Sequence, residues 1–321
     1  MTIDYRDRSV LVTGGAGFIG SHLVEELVRR QAQVTIVDNW STGHLDNLAA
    51  VIDRVEIHQL DLVRDDLRPL LTRRSFDMIF HVAANAYVPT SVANPRKDFE
   101  DNTLATFNML EAVRDVAPQT GIIHTSSAAV YGQGMRMPLK EDDPTLPVAP
   151  YGVSKLAAER YVAVYAHVYG LRTANVRLFP VYGPRLRKQV VYDLMRKIYD
   201  NPHELFIYGD GSQVRDFNHV SNVVEALLLV AEQSELQGEV YNIAAEESVP
   251  IQELAQMLCG RMRVNPHFVY SGNVRPGDAQ RWQADISRLQ RLGYQPRLRL
   301  AEGLTDTVSW FLEDMQVTTL K

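Results

Sequence analysis

A glycine-rich turn between an apolar strand and a helix is the feature that most limits how this chain can fold. The segment Thr13–Gly20 reads Thr-Gly-Gly-Ala-Gly-Phe-Ile-Gly and follows the apolar run Ser9–Thr13. The residues after the turn are apolar at helical spacing, at Ile19, Leu23, Leu27 and Val28. Without side chains, backbone N–H groups at a helix start can approach a pyrophosphate. The segment therefore predicts a dinucleotide site, and the alternative is a strand-to-helix turn without a ligand.

The same alternation of strand and helix continues along the first 130 residues. Short, nearly continuous apolar runs are separated by longer amphipathic stretches. These runs are Ser9–Thr13, Gln33–Asp38, Arg54–Leu60, Phe76–Val82 and Gly121–Thr125. Strands that are apolar on both sides are typical of parallel sheets covered by helices on both faces. The pattern predicts an α/β fold with a Rossmann-type, doubly wound parallel sheet.

A smaller C-terminal domain is predicted to complete the chain. A strand over Arg172–Phe179 precedes the turn Pro180-Val-Tyr-Gly-Pro184, where we expect a boundary. Prolines punctuate the region after residue 244, which we expect to be shorter and more irregular. The predicted division is 1–179 with 216–244 for the nucleotide-binding domain, and 180–215 with 245–321 for the second, substrate-binding domain.

An acid ends the second predicted strand, Val34-Thr-Ile-Val-Asp38. It lies roughly 20 residues after the glycines, the spacing expected of a carboxylate that accepts hydrogen bonds from an adenosine ribose. The same carboxylate would repel a 2′-phosphate. Strand, glycines and acid together predict an NAD site, with Asp38 favouring NAD over NADP.

A tyrosine and a lysine lie four residues apart at the start of a predicted helix, in Tyr151-Gly-Val-Ser-Lys155. They share one helix face. A nearby ammonium group and a positive nicotinamide ring favour the phenolate form, so Tyr151 can act as a general base or acid for a sugar hydroxyl. Ser126 and Ser127, at the end of a predicted parallel strand, can reach the same oxygen. The alternative is a solvated helix pair without chemistry.

Composition excludes several classes of function. Lys and Arg number 33 against 39 Asp and Glu, a formal net charge of −6 with mixed signs, so nucleic acid is not an expected partner. The single cysteine, Cys259, fits a reducing, cytoplasmic setting. The sequence shows no metal-ligand spacing, no signal-peptide pattern and no apolar run of about 18 residues, so neither a metal site nor a membrane span is expected.

An ordered set of motifs resembles the extended short-chain dehydrogenase/reductases, the NAD-dependent epimerase/dehydratase family, that modify nucleotide sugars. The resemblance is strongest to the UDP-glucose 4-epimerase branch. Beyond the glycine turn it is carried by Asp38–Gly43, Asp61-Leu62, His81–Ala84, Asn102, Thr125–Gly132, Tyr151 with Lys155, Val181–Arg185, Gly209–Phe217, Arg275–Asp278 and Ala284-Asp285.

The resemblance implies a C4 epimerisation through a 4-keto sugar. Tyr151 would take the O4 proton while C4 passes hydride to NAD, and Ser127 would hold that oxygen. Lys155 would bind the nicotinamide ribose and keep Tyr151 acidic. The implied cofactor-binding residues are Gly14, Gly17, Phe18, Ile19, Gly20, Asp38, Asn39, Ser41, Thr42, Gly43, Asp61, Leu62, Ala83, Ala84, Asn102, Ser126, Tyr151 and Lys155.

The family also implies the contacts of the nucleotide sugar. The implied substrate-binding residues are Ser127, Tyr151, Phe179, Arg215, Arg275, Asp278 and Trp282. Arginine suits a diphosphate because its guanidinium makes bidentate contacts. A bulky indole at Trp282 favours plain hexoses over N-acetylhexosamines, so UDP-glucose and UDP-galactose are expected first and UDP-hexuronic acids second. The cluster Arg185, Arg187 and Lys188 is either a phosphate-facing edge or a solvated turn.

Several residues besides Trp282 depart from patterns found in the family. Ala128-Ala129 replaces the Asp-Glu pair of the dehydratases, which favours epimerisation over a 4,6-dehydratase. It leaves a 4-ketoreductase open, and a non-catalytic NAD-binding regulator is the remaining alternative. Pro180 stands where the family usually has an asparagine that helps to hold the donor, and Ala86 where some epimerases have a lysine near the cofactor. Family members commonly dimerise through helices near 95–116 and 150–168, so a homodimer is expected.

Overall fold

The strands and helices alternate along the chain in this computed structural model, which describes residues 5–273 and 280–319. The strands are β1 (Ser9–Thr13), β2 (Gln33–Asp38), β3 (Val55–Gln59), β4 (Met78–His81), β5 (Gly121–Ser127), β6 (Thr173–Leu178), β7 (Val181–Tyr182), β8 (Glu204–Ile207), β9 (Val214–Asp216), β10 (Asn218–His219), β11 (Gln237–Ile243), β12 (Ser248–Pro250), β13 (His267–Tyr270) and β14 (Arg281–Trp282). The helices are α1 (Phe18–Arg29), α2 (Arg68–Arg73), α3 (Val88–Ala93), α4 (Pro95–Phe99), α5 (Ala105–Val116), α6 (Pro150–Tyr169), α7 (Gln189–Asp200), α8 (Val220–Gln233), α9 (Ile251–Met262), α10 (Ser287–Gln290) and α11 (Leu300–Thr319).

Seven strands form the central sheet in the order β11-β6-β5-β4-β1-β2-β3. All six neighbouring pairs are parallel. The carboxyl ends of β1, β2, β4, β5 and β6 therefore meet along one edge of the sheet. The predicted doubly wound α/β fold is confirmed, and its topology brings the glycine turn, Asp38 and the serine strand to one edge, where such folds bind ligands.

Each face of the sheet is covered by helices. Leu23 and Leu27 of α1 pack with Val223 and Leu227 of α8 against one face. On the other face, α5 and α6 bury their apolar sides in a second cluster. Burial on both faces explains why the strands are continuously apolar, as all seven residues of β5 are buried.

A separate apolar cluster lies beyond the sheet. It is built from α7, α9 and α11 and includes Leu194, Leu254 and Phe311. The region after residue 244 is thus less irregular than expected, because α9 lies between Pro250 and Pro266 and the 20-residue α11 follows Pro296. The division of the chain into two domains stays a prediction.

The bounds of β1 and β2 are as predicted, other strand ends differ by one or two residues, and one difference affects the site. The fifth strand was predicted to end at Thr125, but β5 continues to Ser127. Its pairing with β6 holds this extension, with Ser127 opposite Leu178. Polar serines end this strand because they reach the ligand edge of the sheet rather than a core face.

Candidate active site

A cleft of about 1380 Å³ runs along the carboxyl edge of the central sheet. Segments that follow β1, β2, β4, β5 and β6 line one side of the cleft, and α7 with the strands β8 and β9 lines the other. The predicted cofactor residues that line it are Gly14, Gly17, Phe18, Ile19, Gly20, Asp38, Asn39, Ser41, Thr42, Asp61, Leu62, Ala83, Ala84, Ser126, Tyr151 and Lys155.

The glycine turn leaves no room for side chains. Gly14 has a φ of +70°, and a Cβ there would lie 2.7 Å from the Ala83 Cα. A Cβ on Gly20 would lie 2.0 Å from the Gly14 carbonyl oxygen. Gly17 precedes α1, and no side chain caps the first N–H groups of that helix. These groups line the cleft as a positive helix end, which fits the pyrophosphate of a dinucleotide.

Asp38 is held rigidly at the end of β2. Its two carboxylate oxygens accept the N–H groups of Ala16 at 3.0 Å and Trp40 at 2.9 Å. Gly43 does not line the cleft; it packs beside this carboxylate, since a Cβ there would lie 2.8 Å from Oδ1. An ionised carboxylate has about four lone-pair positions, so Asp38 keeps the capacity to accept ribose hydroxyls.

Ser127, Tyr151 and Lys155 meet where β5 ends and α6 begins. The Ser127 hydroxyl is hydrogen-bonded to the Tyr151 phenol. The Lys155 ammonium donates to the Thr125 carbonyl oxygen at 2.8 Å. All three side chains are buried and line the cleft. The i, i+4 spacing on one helix and the end of a parallel strand thus place the three groups together, as their positions in the sequence predict.

The expectation that Lys155 and a bound nicotinamide ring together keep Tyr151 acidic stays a prediction. In the protein alone, burial raises the pKa of Tyr151 to about 12, and the Ser127 hydrogen bond opposes this only in part. Burial also lowers the pKa of Lys155 to about 8. The ammonium group is bonded to a backbone carbonyl and does not offset the desolvation of the phenol. In the protein alone, Tyr151 is protonated at neutral pH.

Ser126 contributes its backbone to the cleft more than its hydroxyl. Its Oγ donates to Glu159 at 2.7 Å. The Glu159 carboxylate also accepts two hydrogen bonds from the Arg177 guanidinium, at 2.9 Å and 2.6 Å. This fully buried ion pair ties α6 to β5 and β6. Sequence reasoning missed it, because neither residue belongs to a short motif.

Asn102 lies beneath the cleft instead of lining it. It sits in the π-helical turn Glu100–Leu104 between α4 and α5, and its amide oxygen accepts the N–H of Asn85 at 3.0 Å. Its amide nitrogen donates to the buried Asp98 at 3.0 Å. Asp98 also accepts the hydroxyl of Ser154 at 2.6 Å. The network positions Asn85, which lines the cleft, and the residue before Lys155.

We expect Asp98→Asn to change both stability and pH dependence. The carboxylate accepts hydrogen bonds from Asn85, Asn102 and Ser154, and the amide keeps only one accepting oxygen, so at least one of these bonds is lost and the free energy of unfolding falls by about 1–3 kcal/mol. The Asp98 charge raises the pKa of Lys155. Its loss lowers that pKa, so Lys155 deprotonates at lower pH and kcat/KM falls earlier as pH rises. Urea unfolding and a pH profile of kcat/KM measure the two effects; an unchanged alkaline limb would contradict the second.

The substrate side of the cleft contains Phe179, Arg215 and Trp282. The Arg215 guanidinium carbon lies 5.0 Å from the centre of the Trp282 ring. The indole N–H of Trp282 donates to the Gly132 carbonyl oxygen at 3.0 Å, which fixes the ring. The predicted contacts Arg275 and Asp278 lie outside the described residues. Ala86 and Pro180, which depart from the family pattern, both line the cleft.

A metal-binding cluster and a membrane-spanning helix are both absent from the part of the chain that the structure describes. Within 5–273 and 280–319, no cluster of His, Cys, Asp and Glu side chains is arranged to hold a metal ion. In the same part of the chain, no helix has both the length and the apolar character needed to cross a bilayer.

Comparison with known proteins agrees with this architecture. A family model described as GDP-mannose 4,6 dehydratase matches residues 11–307. UDP-glucose 4-epimerase of Mycolicibacterium smegmatis is 34% identical over 315 residues, covering 95% of this chain and 99% of the relative.

Two solved structures are similar over nearly the whole chain. A UDP-N-acetylglucosamine 4-epimerase from Methanobrevibacter ruminantium, in complex with UDP-N-acetylmuramic acid, has a TM-score of 0.88 and 35% identity, covering 97% of this chain and 100% of the other. MoeE5, in complex with UDP-glucuronic acid and NAD, has a TM-score of 0.86 and 34% identity, covering 95% and 99%. With the glycine turn, Asp38 and the Ser127–Tyr151–Lys155 cluster in one cleft, the chain belongs to the extended short-chain dehydrogenase/reductase family.

Proposed function

We propose that this protein is an NAD-dependent nucleotide-sugar 4-epimerase that inverts C4 of a UDP-hexose, either UDP-glucose and UDP-galactose or a UDP-hexuronic acid. The observation that carries the proposal is the meeting of Ser127, Tyr151 and Lys155 in the same cleft as the glycine turn. The glycine turn and Asp38 suit NAD, with which a similar protein has been solved.

Bound NAD would accept a hydride from the sugar and return it. The chain's own groups handle the proton and the geometry. Ser127 holds the C4 oxygen, and Tyr151 takes its proton and later gives it back. Burial raises the pKa of the Tyr151 phenol, and the positive charge of a bound nicotinamide would lower it. Lys155, anchored on Thr125, has further N–H groups to hold the nicotinamide ribose.

The alanines after Ser127 favour epimerisation over dehydration. Ala128 and Ala129 are buried in a short turn after β5 and carry no ionisable group. Eliminating water from a sugar needs an additional acid and base beside the reacting carbons. A 4-ketoreductase needs no such pair and is the second candidate; a non-catalytic regulator would have no need of the Ser127–Tyr151 hydrogen bond.

The proposal also states which part of the chain binds each ligand and which oligomer the protein forms. Residues 1–179 with 216–244 hold NAD, and 180–215 with 245–321 hold the nucleotide sugar. We also propose that the protein is a cytoplasmic homodimer. An exposed apolar face on α6 supports the dimer, since Tyr161, Val164 and Val168 are 42%, 48% and 65% exposed. Light scattering should give the mass of two chains; the mass of one chain would contradict the dimer.

Proton NMR tests the proposed reaction. The purified protein is incubated with catalytic NAD and, separately, UDP-galactose, UDP-glucuronic acid and UDP-N-acetylgalactosamine. We expect one of the first two sugars to give its C4 epimer at equilibrium. NADH, followed by the absorbance of the reduced nicotinamide, should not accumulate. An accumulating ketone or dehydrated product would favour the oxidoreductase alternatives, and no reaction with any UDP-sugar would contradict the proposal.

A further inference from the structure

Most cations that line the cleft already have an anionic partner. In the segment after β7, Arg185 pairs with Glu25 at 2.5 Å and Arg187 with Asp314 at 2.6 Å. Lys197 of α7 pairs with Asp193 at 3.0 Å. Each of these three cations therefore already has a carboxylate partner within the protein.

Lys188 is different. It lines the same cleft and is partly buried, yet no side chain or carbonyl of the described residues forms an ion pair or hydrogen bond with it. Burial lowers its pKa, and no acidic group offsets that burial. A desolvated ammonium group without a partner costs free energy, so this position is suited to an anion brought by a ligand.

The path of the chain places Lys188 beside the segment that follows β4. The segment begins on α1, where the Pro184 carbonyl contacts the ring of His22 at 3.0 Å. It ends across the cleft, where the Gln189 amide donates to the Ala86 carbonyl at 3.3 Å. Ala86 follows β4, the neighbour of the strand that ends at Ser127. Lys188, one residue before Gln189, is therefore at the Ala86 side.

The backbone holds this position rigidly. Arg185 and Gln189 both have left-handed backbone conformations, with φ of 73° and 70°. Non-glycine residues adopt this region at a cost and do so where the surroundings fix it. Lys188 lies between them and directly precedes α7. The lysine is presented on a fixed stretch of backbone rather than on a solvated turn.

From these contacts we infer that Lys188 binds the C6 carboxylate of a UDP-hexuronic acid and thereby selects that substrate class. In such a sugar the carboxylate is attached to C5, next to the reacting C4, whereas the diphosphate is attached at C1 on the other side of the ring. Lys188, next to the residue that bonds Ala86 in the same cleft, would meet the carboxylate end. The inference rests on the proposed nucleotide-sugar function and narrows it to acidic sugars.

Binding measurements test this assignment without requiring turnover. Isothermal titration of the NAD-loaded protein with UDP-glucuronic acid, UDP-glucose and UDP compares wild type with Lys188→Gln and Lys188→Arg. We expect Lys188→Gln to weaken UDP-glucuronic acid about 10- to 100-fold and to change UDP-glucose and UDP by less than about threefold. Lys188→Arg keeps the charge and should recover most of the loss. The matched control is Lys197→Gln, which removes a paired lysine from the same cleft and should leave the ratio of the affinities unchanged.

Each other outcome is decisive. Equal loss for all three ligands would assign Lys188 to the diphosphate and overturn the inference, as would no loss for any of them. The proposed function fails separately: if wild type binds the sugars but NMR detects no C4 epimer, the epimerase proposal is wrong while the binding ratios still decide the role of Lys188. Far-UV circular dichroism identifies a variant that does not fold. If Lys188→Gln does not fold, the test uses the affinities of Lys188→Arg and the preference of wild type for UDP-glucuronic acid over UDP-glucose.

Discussion

Tyr151→Phe is expected to lower kcat by about 10²- to 10⁴-fold, the usual contribution of a positioned acid or base. The substitution removes one oxygen, the atom bonded to Ser127, and leaves the buried ring in place. Lys155 keeps its bond to the Thr125 carbonyl. We therefore expect NAD affinity and thermal stability to change little. Steady-state kinetics and NAD titration on the same preparation measure both.

Tyr199→Phe is the matched control. This tyrosine is 44% exposed and packs edge-on against Phe311, far along the chain from the reacting groups. Its loss of a hydroxyl should leave kcat unchanged. A Tyr151→Phe variant that turns over within about tenfold of wild type would refute the assignment of Tyr151 as the group that moves the proton.

Glu159→Gln is expected to cost about 3–5 kcal/mol in the free energy of unfolding, because it leaves a buried guanidinium without its counter-charge. The side chains of Arg177 and Glu159 are 2% and 1% exposed. Arg177 also donates to the Tyr131 hydroxyl at 2.8 Å and to the Glu141 carbonyl at 2.9 Å, so it cannot move out to solvent without breaking further bonds. Urea unfolding monitored by circular dichroism gives the difference.

An exposed ion pair provides the comparison for this effect. Arg196 and Asp200 lie 2.9 Å apart with side chains 47% and 53% exposed. Asp200→Asn should change the free energy of unfolding by at most about 1 kcal/mol. If Glu159→Gln cost no more than Asp200→Asn, the buried pair would not be what holds α6 against β5 and β6.

Much of the fold follows from local patterns. The sheet is predictable because its strands are buried on both faces and therefore read as short apolar runs, as in β1 and β2. The helices after residue 244 were harder, because Pro250 directly precedes α9 and reads as an interruption when it is a helix start. Strand ends depend on the pairing partner, so the apolar run ends at Thr125 while pairing with β6 continues β5 to Ser127.

Some residues of the candidate site are predictable from the sequence, and others are not. Ser127, Tyr151 and Lys155 are predictable because each belongs to a short motif at a strand or helix end. Asp98 was missed because its partners come from three separate segments of the chain. The sequence does not decide whether Lys188 faces a ligand or solvent. It shows three cations within four residues, but not that Arg185 and Arg187 have carboxylate partners elsewhere in the chain. Long-range pairing of charges is not encoded in local spacing.

The origin of the hydrogen at C4 tests the central claim most directly. Turnover of UDP-glucuronic acid and of UDP-galactose is followed in D₂O by proton NMR and mass spectrometry, with catalytic NAD. Direct hydride transfer predicts a C4 epimer that keeps its carbon-bound protium at C4, and whose mass is unchanged once the freely exchanging hydroxyl deuterons have been returned to H₂O. Deuterium at C4, or a product that has lost water, would contradict the account.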